Sequence, residues 1–268
     1  MRKLSVCIAC AALLSIMSGT ASAQYGVTPA ASSVAGEDYH VEFTYGLWTP
    51  AREIIVSSES LGIIGTSINA VTDLGFEKET FQNIFVVLRP TEKFKFRFGF
   101  TPIKYQGDHF LTRTIVFNGQ RYNVGLPVQS ELDWKLWRFG LEYDVFYRSR
   151  GFVGFIVDVN YTDIDVMLNS PITSEFTHVK VPIPAIGGIG RFYIGQNFAV
   201  TGELSGLKLT IDEDTGQFVN FDLNGTYNIT NNFGVQGGYR SINMEYAIDQ
   251  DSGNLELNGL YFGGVARF

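Results

Sequence analysis

Two aspartates and two histidines are the residues of this sequence that could activate water. Asp163 and Asp165 are two positions apart, so in a strand both side chains point to the same side. His109 and His178 fall in two of the longer connections between predicted strands. A carboxylate and an imidazole that reach one water molecule could act on it as general bases. However, Asp108 points away from its neighbour His109 in an extended segment, and no aspartate lies two residues from His178, so we expect solvated loop side chains here.

A second group that could carry chemistry consists of charged side chains on the polar faces of predicted strands. Six are acids and five are bases, so we expect them to pair across a narrow interior if the strands close into a barrel. The residues are Glu42, Lys95, Arg97, Arg138, Glu142, Asp144, Asp158, Glu203, Asp222, Arg240 and Arg267. Strand order predicts Arg97 near Glu142, and Arg240 near Asp222. The favoured interpretation is a polar filling that neutralises buried charges; the alternative is a narrow conduit whose pairs separate to pass water or small ions.

The elements that position these residues are strands, because the recurring hydrophobic period is two. In 93–101, four phenylalanines occupy one parity, and Lys95 and Arg97 lie on the other. Four further segments alternate in the same way, at 39–48, 137–147, 153–161 and 217–229. Phe146 is an exception to the pattern. No run after residue 23 approaches the roughly 20 apolar residues that a membrane helix needs, so the sequence predicts an all-β protein.

Three features favour a closed antiparallel transmembrane β-barrel over a soluble sandwich. Charges of both signs lie in the middle of the polar faces, and tight connections alternate with long ones. The long connections are expected at about 50–66, 105–128, 168–179, 211–217 and 247–254. Aromatic residues gather near predicted strand ends, where interfacial girdles lie, at Tyr39, Tyr45, Trp137, Tyr147, Tyr161, Tyr193, Tyr227 and Tyr261.

The connections divide the chain into about ten strands, an even number that puts both termini on one side, expected to be periplasmic. The predicted strands span 40–50, 67–89, 94–105, 129–147, 152–168, 179–194, 198–211, 217–229, 233–246 and 255–268. An eight-stranded barrel is the alternative, because 81–89 does not favour one parity and Pro182 and Pro184 interrupt a ladder. The apolar parity also changes near Trp134 and Ile164. We interpret the change as the level where strands leave the lipid, which often involves a bulge.

Two of the long connections have features of their own. The second contains Asn118-Gly119 between apolar runs, which predicts a protruding hairpin. The first is unusually apolar, with isoleucines at 54, 55, 63 and 64. It could fold over the mouth, extend the wall, or contact lipopolysaccharide or another protein.

The beginning of the chain predicts export. Residues 1–23 combine Arg2 and Lys3 with a short apolar stretch and a small-residue cleavage site, which is typical of a signal peptide. Both cysteines of the chain lie within it, so the mature protein is expected to lack disulfides. Residues 24–38 are predicted to form a flexible periplasmic lead-in, and 39–268 the barrel domain. The net charge of −7, with scattered basic residues, argues against nucleic acid as a partner.

The last strand carries a resemblance to a known class. Phe268 and Phe262 share one face of an alternating aromatic strand, opposite Tyr261. This ending resembles the assembly signal of Gram-negative outer-membrane β-barrel proteins. Segments 66–76 and 115–133 are also similar to a widespread group of small outer-membrane barrels without an assigned chemistry. The resemblance implies a bacterial outer-membrane location, with membrane lipid, lipopolysaccharide, periplasmic chaperones and the barrel assembly machinery as partners.

Three functions are compatible with this sequence. The favoured one is a non-enzymatic outer-membrane barrel with a charge-paired, largely filled lumen and loops for envelope or surface interactions. The first alternative is a narrow, porin-like channel for small solutes. The second is a hydrolase similar to the omptin proteases, which place paired aspartates and an aspartate-histidine couple at the outer rim. No cofactor or metal is expected, because the acidic loops 212–216 and 249–254 have the composition of turns.

Overall fold

The computed structural model describes residues 34–57, 65–211, 214–248 and 251–268. The signal peptide predicted at 1–23 and residues 24–33 of the lead-in lie outside this part of the chain. The described residues form strands, turns and irregular segments. No helix among them is long and apolar enough to cross a membrane.

Ten long strands form a closed antiparallel barrel in which each strand pairs with its neighbours in chain order. In chain order, the strands are β1 (Val41–Ser57), β2 (Ile68–Asn69), β3 (Phe81–Leu88), β4 (Phe94–Phe110), β5 (Ile115–Phe117), β6 (Gln120–Tyr122), β7 (Pro127–Arg148), β8 (Gly151–Asn169), β9 (Ser174–Ile194), β10 (Phe198–Ile211), β11 (Asp214–Asn228), β12 (Phe233–Ile248) and β13 (Asp251–Arg267). The short β2 pairs with β1, and β5 and β6 form a separate hairpin. The barrel closes between β13 and β1, from Glu42 opposite Arg267 to Ser57 opposite Ser252. The prediction of an all-β, ten-stranded closed barrel is confirmed, and the eight-stranded alternative is wrong.

The barrel has two ends that differ in their connections. We call the half that contains Val41 and Arg267 the proximal half, and the half that contains Ser57 and Asn169 the distal half. The proximal turns are short, at 89–93, 149–150, 195–197 and 229–232. Three distal connections that the sequence predicted to be long are also short, because β8, β10 and β12 continue to Asn169, Ile211 and Ile248.

A continuous apolar band surrounds the outside of the proximal half. Each of the ten barrel strands contributes at least one large apolar side chain that is more than a third exposed. Examples, one from each strand, are Phe43, Leu88, Phe98, Phe139, Phe155, Ile186, Leu204, Leu223, Val235 and Leu260. Such a band is far larger than the apolar patches of soluble monomers. It has the character of the lipid-facing belt of a transmembrane barrel.

In the distal half, the same strand faces carry the opposite chemistry. On β7, Trp134 and Leu136 point inward and are buried, whereas Arg138 and Glu142 occupy the inward face of the proximal half. The pairing of β7 with β8 runs without a shift past Trp134. The predicted bulge at this level is therefore wrong: the pleat continues, and the surroundings of each face change instead.

A bulge does occur at the proximal end of β7. The register with β8 shifts between Asp144 and Phe146, which makes Val145 the extra residue. Val145 and Phe146 are consequently both exposed on the outer side, at 39% and 69%. This bulge explains why Phe146 breaks the alternation of the sequence.

Two chain segments fold into the distal interior and form an apolar core with the wall. The first, 65–80, contributes Leu74 and Phe76; Phe76 stacks on Tyr105 of β4 at 5.7 Å between ring centroids. The second, 111–126, contributes the β5–β6 hairpin, whose Ile115 and Tyr122 are fully buried. Burial of these side chains stabilises the closed mouth by the hydrophobic effect.

The β5–β6 hairpin has the predicted turn but not the predicted position. Asn118 and Gly119 have φ values of 49° and 77°, as a two-residue type I′ turn requires. The hairpin does not protrude, because Ile115, Phe117 and Tyr122 belong to the distal core. Its four apolar and aromatic residues between 115 and 122 fit an enclosed position better than an exposed one.

The first long connection begins later than expected, because β1 extends the wall to Ser57 and directs Ile54 inward, where it is buried. Residues 58–64 lie outside the described part of the chain. On the other side of the barrel, Pro182 and Pro184 lie in a stretch of β9 that pairs with β8 only. The ladder between β9 and β10 ends at Ile186 and Gly206, so neither proline interrupts it.

Candidate functional site

The proximal lumen holds a dense set of charged side chains. All eleven residues that the sequence assigned to the polar faces point into it. Nine of them are buried, and Arg97 and Asp222 are partly exposed. Because the strands here have an apolar outer face, inward positions are the only ones left for charged residues, and the pleat of each strand positions them at alternate residues.

Lys95 of β4 lies at one end of the central charge network. Its Nζ atom is 2.6 Å from Glu142 Oε1 and 2.8 Å from Asp144 Oδ2, both on β7. The same ammonium lies 3.5 Å from the ring centroid of Phe152, which adds a cation–π contact. All three charged groups are almost completely buried, so each compensates the desolvation of the others.

Glu203 of β10 connects this cluster across the lumen. Its carboxylate forms ion pairs with Arg97 and with Arg138 Nη1, the latter at 2.5 Å. Arg97 also pairs with Glu142, and Arg138 Nε donates to Asp158 Oδ2 at 3.0 Å. The residues come from β4, β7, β8 and β10, so the network joins opposite walls of the barrel.

A second cluster lies nearer the chain ends and includes a residue that the sequence reasoning missed. Glu42 of β1 accepts from Arg267 Nε at 2.6 Å and pairs with Arg191 Nη2 at 3.3 Å. Arg191 was not among the predicted lumen residues, because the prolines of β9 obscured the parity of that strand. The inward alternation of Ile189, Arg191 and Tyr193 is the signal that identifies it. With Arg191, the lumen contains six acids and six bases.

Arg240 and Asp222 are opposite each other in the pairing of β11 with β12, but no ion pair joins them among the described residues. Arg240 instead donates to Asn220, Asn83 and Thr101, at 3.0 to 3.2 Å. Asp222 accepts from Asn224 at 2.8 Å and from the Tyr261 hydroxyl at 3.0 Å. These two charges are therefore satisfied by neutral polar groups rather than by each other.

A cavity of about 90 Å³ lies among these side chains. Its lining includes Arg97, Arg138, Glu203, Asp222 and Arg240. A buried water needs roughly 10–15 Å³ of such space, so the cavity can hold several waters.

The proximal mouth is closed by the segment 34–40, which we call the strap. Asn228 Nδ2 donates to Ala35 O at 2.7 Å, and Ala35 N donates to Gln196 O at 2.9 Å. Arg89 Nη1 donates to Glu37 O at 2.5 Å, and Glu37 is only 2% exposed. The flexible lead-in predicted over 24–38 thus differs from the structure after residue 33, where the chain is folded against the barrel.

The strap also depends on one glycine. Gly36 has φ +80°, and a Cβ atom there would lie 2.5 Å from Arg267 Nη1 and 3.0 Å from Asn228. Only glycine combines this left-handed conformation with so close an approach to the lumen charges.

The two inward segments, 65–80 and 111–126, close the distal mouth. A pair of hydrogen bonds joins the segments to each other. Asp73 accepts from Arg113 Nε at 3.0 Å and from Arg113 Nη2 at 2.6 Å. These hydrogen bonds hold the pKa of the Asp73 carboxyl below its usual value. Burial raises the pKa of the Tyr122 hydroxyl to about 12, and this group donates to Leu168 O at 3.3 Å.

The residues that could activate water do not meet in the lumen. Asp163 and Asp165 lie on the outer face of β8 in the distal half, away from the cavity. His178 contacts both of them, because it is directly opposite Asp165 on β9. The sequence reasoning sought its partner two residues away on the same strand and missed the neighbouring strand. His109 lies apart from this group, with its side chain close to Gly75.

The outer surface also shows which aromatic residues can form girdles. Tyr45, Trp137 and Tyr227 point outward and are exposed at 40% to 52%. Tyr39, Tyr193 and Tyr261 are buried inward, so the predicted girdle position is wrong for these three. Of the predicted assembly signal, Phe262 and Phe268 are exposed on the outer face, at 66% and 65%, whereas Tyr261 bonds Asp222 in the lumen.

Comparisons with known proteins relate this geometry to a class of folds. No protein-family model and no curated protein sequence matches the chain. Among solved structures, outer membrane protease OmpT from Escherichia coli aligns with a TM-score of 0.57 and 8% identity, over 85% of this chain and 96% of OmpT. The Pseudomonas putida toluene transporter TodX aligns with a TM-score of 0.36 and 9% identity, over 91% and 95% of the two chains.

The attachment invasion locus protein Ail of Yersinia pestis aligns with a TM-score of 0.37 and 8% identity, over 85% of this chain and 99% of Ail. At these sequence identities the similarity concerns the fold alone. The conclusion about the fold rests on the alignment with OmpT, which has a TM-score above 0.5. The continuous apolar band and the polar lumen agree with that fold. The chain therefore has the closed β-barrel fold of outer-membrane proteins, here with ten strands.

Proposed function

We propose that this protein is a non-enzymatic, integral outer-membrane barrel whose lumen is sealed in its resting state. The observation that carries the proposal is the combination of a paired charge network in the proximal lumen with folded segments at both mouths. Opening a path would require separating buried ion pairs, and breaking one such pair by removal of a partner costs about 3–5 kcal/mol. The network therefore acts as a polar filling that joins the walls.

The apolar band supports a position in the outer membrane with the proximal half in lipid. In this arrangement the strap faces the periplasm and the distal half extends beyond the bilayer. Lipopolysaccharide and membrane lipid then contact the band, while periplasmic chaperones and the barrel assembly machinery deliver the chain. The exposed Phe262 on the outer face of β13 and the exposed Phe268 just after this strand fit the proposed assembly signal.

Planar-bilayer recording of the purified mature barrel tests the sealed lumen. We expect stable insertion without unitary conductance steps, and flotation with lipid vesicles shows independently that the protein has inserted. Reproducible unitary steps from the wild-type protein would overturn the proposal. Failure to float with vesicles would overturn the membrane position.

A narrow conduit is the second candidate, and the cavity of about 90 Å³ is the observation that favours it. Substitution of Arg97 tests this candidate, because the ion-paired Arg97 side chain lines the cavity and is 13% exposed. If the lumen conducts, Arg97→Ser should increase the size of the unitary steps. If the lumen is sealed, the strap and the distal core still block the path, and the variant should remain silent.

A further inference from the structure

A cluster on the outside of the barrel lies apart from the lumen and both mouths. Asp163 and Asp165 are two residues apart on β8, and β9 places Lys180 and His178 opposite them. All four side chains are on the outer face of the distal half. Because strand residues i and i+2 and their cross-strand neighbours share one face, the backbone register alone brings these groups together.

The geometry of His178 is unusual for an exposed histidine, since each ring nitrogen faces a carboxylate. Nδ1 is hydrogen-bonded to Asp165 Oδ1, and Nε2 lies 3.7 Å from Asp163 Oδ1. That separation is too long for a hydrogen bond. The ring of Phe176 lies nearly parallel to the imidazole, at 6.2 Å between centroids and 12° between planes.

The carboxylate of Asp163 has an oxygen atom whose hydrogen-bonding capacity is unused among the described residues. Its Oδ1 atom is shielded from solvent and has no hydrogen-bond partner among the described residues. A shielded carboxylate oxygen without a donor is costly. It faces Nε2 across a gap that suits a metal ion, because two ligands about 2.1 Å from a tetrahedral zinc ion lie about 3.4 Å apart.

We propose that His178 Nε2 and Asp163 Oδ1 bind a divalent transition-metal ion of the Zn²⁺ class on the outer wall. Asp165 is a positioning residue in this site: it accepts the Nδ1 proton, which presents Nε2 as a lone pair toward the metal. Ligand atoms of Asp163, Asp165 and His178 can all lie within 4.8 Å of one another, so a small side-chain adjustment also lets Asp165 bind directly. Water completes the coordination on the exposed side.

Lys180 is the competing cation. Its Nζ atom lies 3.5 Å from Asp163 Oδ2, and its side chain is 49% exposed. An exposed ion pair of this kind contributes little, so the ammonium can move away when a metal ion binds. Lys180 is therefore expected to weaken the site without preventing binding.

Zinc titration of the mature barrel in detergent tests the proposal. Isothermal titration calorimetry should show one Zn²⁺ per chain, and His178→Asn and Asp163→Asn should each lower the affinity more than about 100-fold. Asp165→Asn should lower it about 10- to 100-fold, as expected for an outer-shell carboxylate. Lys180→Gln should raise the affinity several-fold. Co²⁺ provides a second probe, because its visible absorption reports nitrogen and oxygen ligands directly.

His109→Asn is the matched control, since it removes a histidine from another part of the distal half and should leave zinc binding unchanged. The substituted side chains of the cluster face outward, so these variants should retain the β-sheet circular dichroism spectrum, and the same spectrum checks that His109→Asn is folded. Wild-type protein that binds no Zn²⁺, or a His178→Asn variant that binds it like wild type, would overturn the proposal. The conductance experiment is independent of both results, because this cluster has no contact with the lumen.

Discussion

The proximal and distal halves of the barrel have the same strand pleat but place apolar and charged side chains on opposite faces. On β8, Phe155 points outward and Asp158 inward in the proximal half, whereas Asp165 points outward and Leu168 inward in the distal half. The register of β8 with β7 is unbroken from Phe155 to Leu168. The two halves differ in which face of the strand carries the apolar side chains.

This inversion shows that an inward position does not by itself determine the residue type. With the proximal half in lipid, as proposed, the apolar medium outside leaves charges to the lumen, where they must pair. With the distal half in water, charges are favoured on the outer face, and the interior becomes a conventional apolar core. The distal half therefore resembles a soluble protein that shares strands with a membrane protein.

The largest expected effect comes from truncating the distal core. Trp134 is fully buried, so Trp134→Ala should lower the free energy of unfolding by about 4 kcal/mol. Trp137, three residues along β7, is 41% exposed on the outer face, and Trp137→Ala should cost about 1 kcal/mol or less in detergent. Denaturant titration of both variants in one detergent measures the difference. Equal losses would show that the distal interior is not a packed core.

The proximal lumen should be sensitive to charge rather than to volume. Glu203→Gln keeps the shape of the side chain but leaves Arg97 and Arg138 short of one carboxylate, and should destabilise by about 3 kcal/mol. Glu245→Gln on the exposed outer face of β12 is the control, expected to change stability by less than about 0.5 kcal/mol. The same denaturant titration applies. A loss no larger than that of the control would contradict a buried network.

Most of the barrel could be predicted because its proximal strands are strongly alternating. Phe94, Phe96 and Phe98 opposite Lys95 and Arg97 leave one arrangement in which the pleat satisfies both faces. The distal extensions could not be read in the same way. Their apolar residues face inward, so they looked like a change of phase, although the pleat past Trp134 is unbroken.

The site residues also divide into those that the sequence could predict and those that it could not. Charges on clear strands were predicted individually, but Arg191 was missed because Pro182 and Pro184 suggested an interrupted strand. The strap was missed for a different reason: its contacts to Arg89 and Asn228 join residues far apart in sequence. His178 and Asp165 likewise meet only through the register of two strands, which a single sequence does not specify.

The outer face of β8 offers a direct test of the inversion. Phe155→Arg introduces a charge into the proposed lipid belt and should cost about 2–3 kcal/mol in lipid bilayers. Met167→Arg on the same strand lies on the distal outer face, opposite Glu131 of β7, and should be nearly neutral. Unfolding in lipid vesicles compares the two variants. Similar losses of stability in Phe155→Arg and Met167→Arg would show that both positions of the outer face lie in the same medium.

The smallest expected effect is a pH-dependent change in stability. It compares a carboxylate inside the distal half, Asp73, with one on its surface, Glu131. The lowered pKa of Asp73 means that its contribution is complete well above the ordinary aspartate pKa of about 3.9, and is lost as pH falls through the lowered value. Asp73→Asn should therefore destabilise by about 1 kcal/mol at pH 7, and this difference from wild type should shrink as pH falls from the ordinary aspartate pKa through the lowered one. Glu131, paired with Lys104 on the outer surface, has a pKa lowered in the same direction, yet Glu131→Gln should cost less because both side chains are hydrated. Unfolding titrations at pH 7 and pH 3 measure both differences. An Asp73→Asn penalty that is undiminished at pH 3 would show that packing, rather than the ion pair, holds the two inward segments together.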